Sequence, residues 1–142
     1  MTDFLEFGTL LAVRLAEAIP TATVIKAFNL PELDDTLVTG TTLFVISEGY
    51  DVKSLNNNGK TIEVEQVWSV LVATRDPDAL GVLSLDVIRA LAGWEDGTEK
   101  FARLDLVGSG SPGSGRKSGW TQGGVHYDNV SFMTTFYLDT TS

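Results

Sequence analysis

The sequence predicts an α+β domain: a mostly antiparallel or mixed sheet built around a long β-hairpin, with two helices packed on one face. Three observations lead there. Two segments repeat apolar residues at spacings of three and four, the period of an amphipathic helix. Other segments are β-branched or alternate with period two, and one pair flanks a run of Asn and Gly that marks a turn. Strands also outnumber helices, about five or six to two by these patterns, and some of them fall in hairpins. A chain of 142 residues is one domain by size, so residues 1–142 are read as a single unit.

The elements follow in order. Residues 3–18 predict a helix, with Thr2 as N-cap and Asp3 and Glu6 favoured by the dipole in the first turn. Phe4, Phe7, Leu11, Leu15 and Ala18 form its stripe, Leu5, Leu10 and Val13 widen it, and Pro20 stops it. Thr23 to Phe28 is short and β-branched, a first strand. After a polar connection, Thr41 to Ser47 is apolar on both faces, as in a strand covered on both sides. Asn56-Asn57-Asn58-Gly59 is the turn, since Asn and Gly tolerate positive φ. The strand Thr61 to Thr74 then places Ile62, Val64, Trp68, Val70 and Val72 on one face and Glu63, Glu65 and Ser69 on the other. Asp76-Pro77-Asp78 opens a second helix, with Asp76 as N-cap and Pro77 in the first helical position. Its stripe is Leu80, Leu83, Val87 and Leu91, and Gly93 closes it. Phe101 to Val107 is a strand, residues 108–119 are a Gly/Ser loop, and Val125 to Leu138 is a long closing strand.

Composition narrows the function. The chain has one histidine, no cysteine and a formal net charge of −9. Catalysis near neutral pH usually relies on a proton carrier, an activated nucleophile or a metal, and these residue types are scarce here. No thiolate metal site or disulfide is possible. An acidic surface repels phosphate backbones, which argues against a free nucleic-acid binder. With no signal-like N-terminus and no apolar run near ~20 residues, the chain reads as soluble and made in a cytoplasm.

The motifs that imitate known chemistry fail on context. Gly108-Ser109-Gly110-Ser111-Pro112-Gly113 spells G-x-G-x-x-G, but more Gly and Ser follow where a dinucleotide site needs a helix. Gly110 to Gly115, then Arg116-Lys117-Ser118, has one residue too many for a phosphate loop. His126 and Asp128 share a strand face as metal ligands would, without a visible third ligand. Asp34-Asp35 lies in a polar loop, and Asp76-x-Asp78 is better explained by capping than by catalysis. The expectation is a non-enzyme with no cofactor and no metal.

Two places suit contact instead. On the strand Thr61 to Thr74, Val67 and Leu71 are apolar on the face that carries Glu63 and Glu65, which points to helix cover or to a subunit contact. In the Gly/Ser loop, Arg116 and Lys117 make a positive spot beside Trp120, a contact anchor. The expected interface is therefore Glu63, Glu65 and Val67 together with Arg116, Lys117 and Trp120.

Taken in order, these elements resemble the tail terminator (tail-completion or neck) proteins of long-tailed bacteriophages, Mu-like or lambda-like. The likeness runs through the helix ending Arg14-Leu15-Ala16-Glu17-Ala18-Ile19-Pro20 and the strand Thr23-Val24-Ile25 that follows it. It continues through the hairpin arm Ile62 to Val72, the helix Asp78 to Leu91 with its Gly93-Trp94 end, and the strands Phe101 to Val107 and Val130 to Leu138. The resemblance implies a structural protein of the virion neck. It would form a ring, usually a hexamer, that caps the tail tube, stops its polymerisation and joins it to the head connector. Its implied partners are itself, the tube protein and the neck protein, with DNA passing through the lumen unbound. The rival readings are a tail-tube or head–tail connector subunit, a metal- or carboxylate-dependent hydrolase resting on His126 and Asp128, and a small acidic binding module.

Overall fold

A computed structural model describes residues 5–27, 38, 40–55, 61–95, 97, 101–109 and 120–139. The elements are α1 (Glu6–Ala18), β1 (Thr23–Ala27), β2 (Thr41–Leu55), β3 (Thr61–Thr74), α2 (Leu80–Leu91), β4 (Asp105–Ser109), β5 (Trp120–Gln122) and β6 (Val125–Asp139). The strands form one mixed sheet in the order β1-β2-β3-β6-β4, with β5 also paired to β6. Among the described strands only β1 against β2 is parallel, and the other pairs are antiparallel. The fold is α+β, as the periodicities predict.

Both helices lie on one face. Phe7, Leu11 and Leu15 of α1 and Leu83, Val87 and Leu91 of α2 pack into one core with Leu43, Val45, Trp68, Val70, Val72, Val130 and Phe132 from the sheet. The alternation on β3 sorts as expected: Val64, Trp68, Val70 and Val72 face the helices. Phe7 sits among aromatic rings, with its centroid 4.7 Å from that of Phe101 and 6.0 Å from that of Trp94. A second, smaller core covers one end of the opposite face, built from Val38, Phe44, Ile46, Leu71, Ala73, Val125 and Tyr127. Among the described residues, Val38 belongs to this cluster and Trp120 packs against it. Leu71, expected under helix cover or at a subunit contact, is buried in this second core, and both described helices lie on the first face. Arg75 braces the second core, donating from Nε to the Val38 carbonyl at 2.7 Å and from Nη1 to that of Gly123 at 3.5 Å.

Several boundaries differ from expectation for identifiable reasons. Thr2, Asp3 and Phe4 lie outside the described residues, and Leu5 at the N-cap of α1 makes no side-chain cap. Val13 and Leu5 are exposed rather than part of the stripe, while Leu10 packs against the core. Phe28 and the turn residues 56–59 lie outside the described residues, but Leu55 opposite Ile62 shows the hairpin. β2 runs eight residues beyond Ser47 in sequence, to Leu55, through register shifts between Ser47 and Tyr50 and between Val52 and Ser54. These bulges disrupt strict alternation and hide a polar strand from a pattern search.

At the start of α2, Asp76 accepts the Asp78 amide at 3.0 Å on Oδ1 and the Ala79 amide at 3.1 Å on its carbonyl. It caps a turn ahead of the helix. The N-cap itself is Ala79, and Pro77 stays in the turn, so the expected placement is corrected by one turn of chain. Gly93 does close this helix: with Ala92 extended and Gly93 at φ +76°, Trp94 N bonds Leu91 O at 3.0 Å, a type II turn. In the expected strand 101–107, Phe101 makes only an isolated bridge to Phe136, and regular pairing starts at Asp105. Gly108 and Ser109, assigned to the loop, pair with Ser131 and Val130. β5 was not expected. It joins β6 through Gly123 and Gly124, both at positive φ as a two-residue hairpin turn requires.

Candidate interaction surface

His126 and Asp128, weighed above as metal ligands, each make a side-chain contact within the fold. His126 Nδ1 lies 2.9 Å from Thr121 Oγ1, across the β5–β6 pair. Asp128 Oδ2 accepts the Ser84 hydroxyl at 2.7 Å and so ties α2 to the sheet. Both residues belong to the helix-bearing face of β6, in register with Thr74 and Val72. Among the described residues no three His, Cys, Asp or Glu side chains are grouped to hold a metal ion. Asp34 and Asp35 lie outside the described residues.

The expected contact residues of β3 are where the alternation put them, on the face away from the helices. Glu63 stands opposite Tyr137, Glu65 opposite Thr135 and Val67 opposite Met133 on β6. On the other side, Glu65 stands opposite Asp51 of β2. Glu63, Glu65, Val67, Met133 and Thr135 are each partly exposed, and Tyr137 is 60 % exposed. The bulge at Gly49, with φ +104°, opens a hollow of about 210 Å³ lined by Glu48, Gly49, Tyr50, Asp51, Glu65 and Val67. This end of the sheet is therefore acidic with apolar residues between the carboxylates.

Tyr137 reports this field. Its hydroxyl donates to Glu63 Oε1 at 3.2 Å. That bond, then the negative charge of Glu63, then partial burial hold the phenol above its ordinary pKa.

Trp120 is at the other end. It pairs with Tyr127, and its ring stacks on that of Tyr127 at 5.2 Å between centroids and 17° between planes. The stretch of β6 from Tyr127 to Thr135 spans roughly 27 Å, so Trp120 and Glu65 belong to separate patches. One face of the expected anchor is already spent inside the molecule. Arg116 and Lys117 lie outside the described residues.

Sequence reading missed Met133 and Tyr137 as members of the acidic patch. The signal was available: they alternate with Phe132, Thr134 and Phe136 and so face away from the helices. A further hollow, about 60 Å³, lies between α1 and the sheet and is lined by Leu5, Gly8, Lys26, Ala27, Val45, Ser47 and Trp68. It is smaller than the ~150 Å³ that accommodates benzene, and so too small for a metabolite.

No helix among the described residues is long and apolar enough to cross a membrane. No protein-family model matches this chain, and no curated protein matches it at a significant level.

Proposed function

We propose that this chain is a structural assembly subunit, a tail terminator of a long-tailed phage that caps the tail tube as a ring and meets the head connector. The observation that carries the reading is the acidic, half-apolar outer face of the β2–β3–β6 end. Val67, Met133 and Tyr137 stand there among Glu63, Glu65 and Asp51 on an open sheet surface. Tyr and Met are enriched where proteins meet, and a carboxylate rim adds specificity and keeps passing DNA off the surface. The element order gives second support, because helix, strand, long hairpin, helix and closing strands follow the sequence of the resembling family.

A tube-growth assay tests it. Tube protein is allowed to polymerise with and without this chain, and tube lengths are measured by electron microscopy. The reading expects tubes that stop growing and carry one added ring at an end. Unchanged lengths and bare ends would defeat it. Co-polymerisation of the chain along the tube wall would instead identify a tube subunit, and open stacks formed by the chain alone would do the same.

A further inference from the structure

Among the described strands, the sheet ends in β1 on one side and β4 on the other, and these two edges complement each other. β1 bonds only to β2, and β4 bonds only to β6. Among the described residues, no further backbone partner meets Thr23–Ala27 or Asp105–Ser109. Both strands are five residues long. Such edges are templates for another strand, and proteins usually blunt them with charge, proline or cover. β1 carries Lys26, and β4 carries Asp105 and a bulge between Leu106 and Gly108, yet on β4 Leu106 is 44 % and Val107 46 % exposed. On β1, Val24 and Ile25 stand half-buried on opposite faces, so a strand laid beside them would bury apolar surface on both sides.

Chain direction favours the match. β1 runs with β2, β3 against β2, β6 against β3 and β4 against β6. β1 and β4 therefore run in opposite senses. Copies related by rotation about an axis along the strands would bring β4 of one beside β1 of the next as an antiparallel ladder. The contact is head-to-tail, the type that closes into a ring when the rotation closes.

We propose that the subunits join edge to edge, with Asp105–Ser109 of one copy pairing with Thr23–Ala27 of the next, so that the sheets form one continuous wall around the ring. This rests on the ring reading above, and it places the subunit contact at the sheet edges, leaving the Glu63–Glu65–Val67 face for another partner.

The chain has no cysteine, so introduced thiols are the only ones present. An Ile25→Cys, Val107→Cys double variant carries them on opposite edges, four strand spacings or roughly 19 Å apart within one copy. A disulfide spans no more than ~7 Å between Cα atoms, so any cross-link must join two copies. Oxidation, or a short bismaleimide, is expected to give a ladder on a denaturing gel ending at the ring number, while each single variant stops at dimers. As a second arm, a Leu106→Lys, Val107→Lys variant should be monomeric by light scattering with an unchanged circular dichroism spectrum. Rings that form in both the parent chain and this lysine variant, with no ladder from the cysteine pair, would overturn edge pairing and leave the ring reading standing. A parent chain that forms no multimer, alone or on tubes, would overturn both.

Discussion

Gly8 lets α1 sit directly on Trp68. A Cβ at this position would lie 2.7 Å from Trp68 Cη2 and 2.8 Å from Cζ3, inside any real contact. The ring cannot easily retreat, being 3 % exposed and held beside Phe7. Gly8→Val should therefore destabilise the fold by about 1–3 kcal/mol, read by urea or thermal denaturation, and Trp68→Phe in the same chain should recover part of the loss. The Ser84–Asp128 bond makes a second residue-level prediction. Ser84→Ala should cost about 1–3 kcal/mol, since the lost hydrogen bond is to a charged group. Asp128→Asn should likewise lower the midpoint of unfolding, whereas a hydrolase would lose turnover with its fold intact. Tyr137 offers a pH readout. Its raised pKa means that the stabilising contribution is intact below the ordinary tyrosine range and is lost as pH rises through the raised value. Titration by ultraviolet absorbance should show the late ionisation, and Glu63→Gln should return it to the ordinary value. Residue-scale reading of the sequence put Glu63, Glu65 and Val67 on the correct face of the sheet, since their strand neighbours fix their side. It placed Trp120 as a free anchor, because a pairing with Tyr127 depends on a hairpin whose only local signal is Gly123-Gly124.

At the scale of elements, legibility followed periodicity. β3 was bounded correctly because apolar core-facing residues recur from Ile62 to Val72 with a break only at Gln66, and its partner strand β6 was one residue short. The far half of β2 was invisible, since Glu48, Gly49 and Asp51 are poor strand residues and two bulges disrupt the alternation. β5, with three residues, is too short to show a period. The start of α2 was misplaced because Asp76 and Pro77 suit a turn and a helix start equally. Its end was legible because the extended-then-left-handed pair Ala92-Gly93 demands glycine. Gly93→Ala should cost about 1–2 kcal/mol in thermal denaturation, the penalty of a side chain in left-handed backbone. Ala92→Pro should also lower the midpoint, although φ at Ala92 is −63°, because proline removes the amide that bonds Ile88 O at 2.8 Å and sets its ring against that carbonyl.

For the whole molecule, one sheet carries three different surfaces. Its helix-bearing face is core, one end of the opposite face is a second core, and the other end is acidic and open. The net charge of −9 opposes association of copies at long range, so any ring must form through local contact and should tighten as salt screens the repulsion. The most direct measurement is sedimentation of the unaltered chain from micromolar to near-millimolar concentration, at low and at physiological salt. A discrete ring that grows in with concentration, gains population at the higher salt and has a single stoichiometry is the result expected of a terminator. A monomer throughout, which also fails to associate with tube ends, would contradict the assembly role.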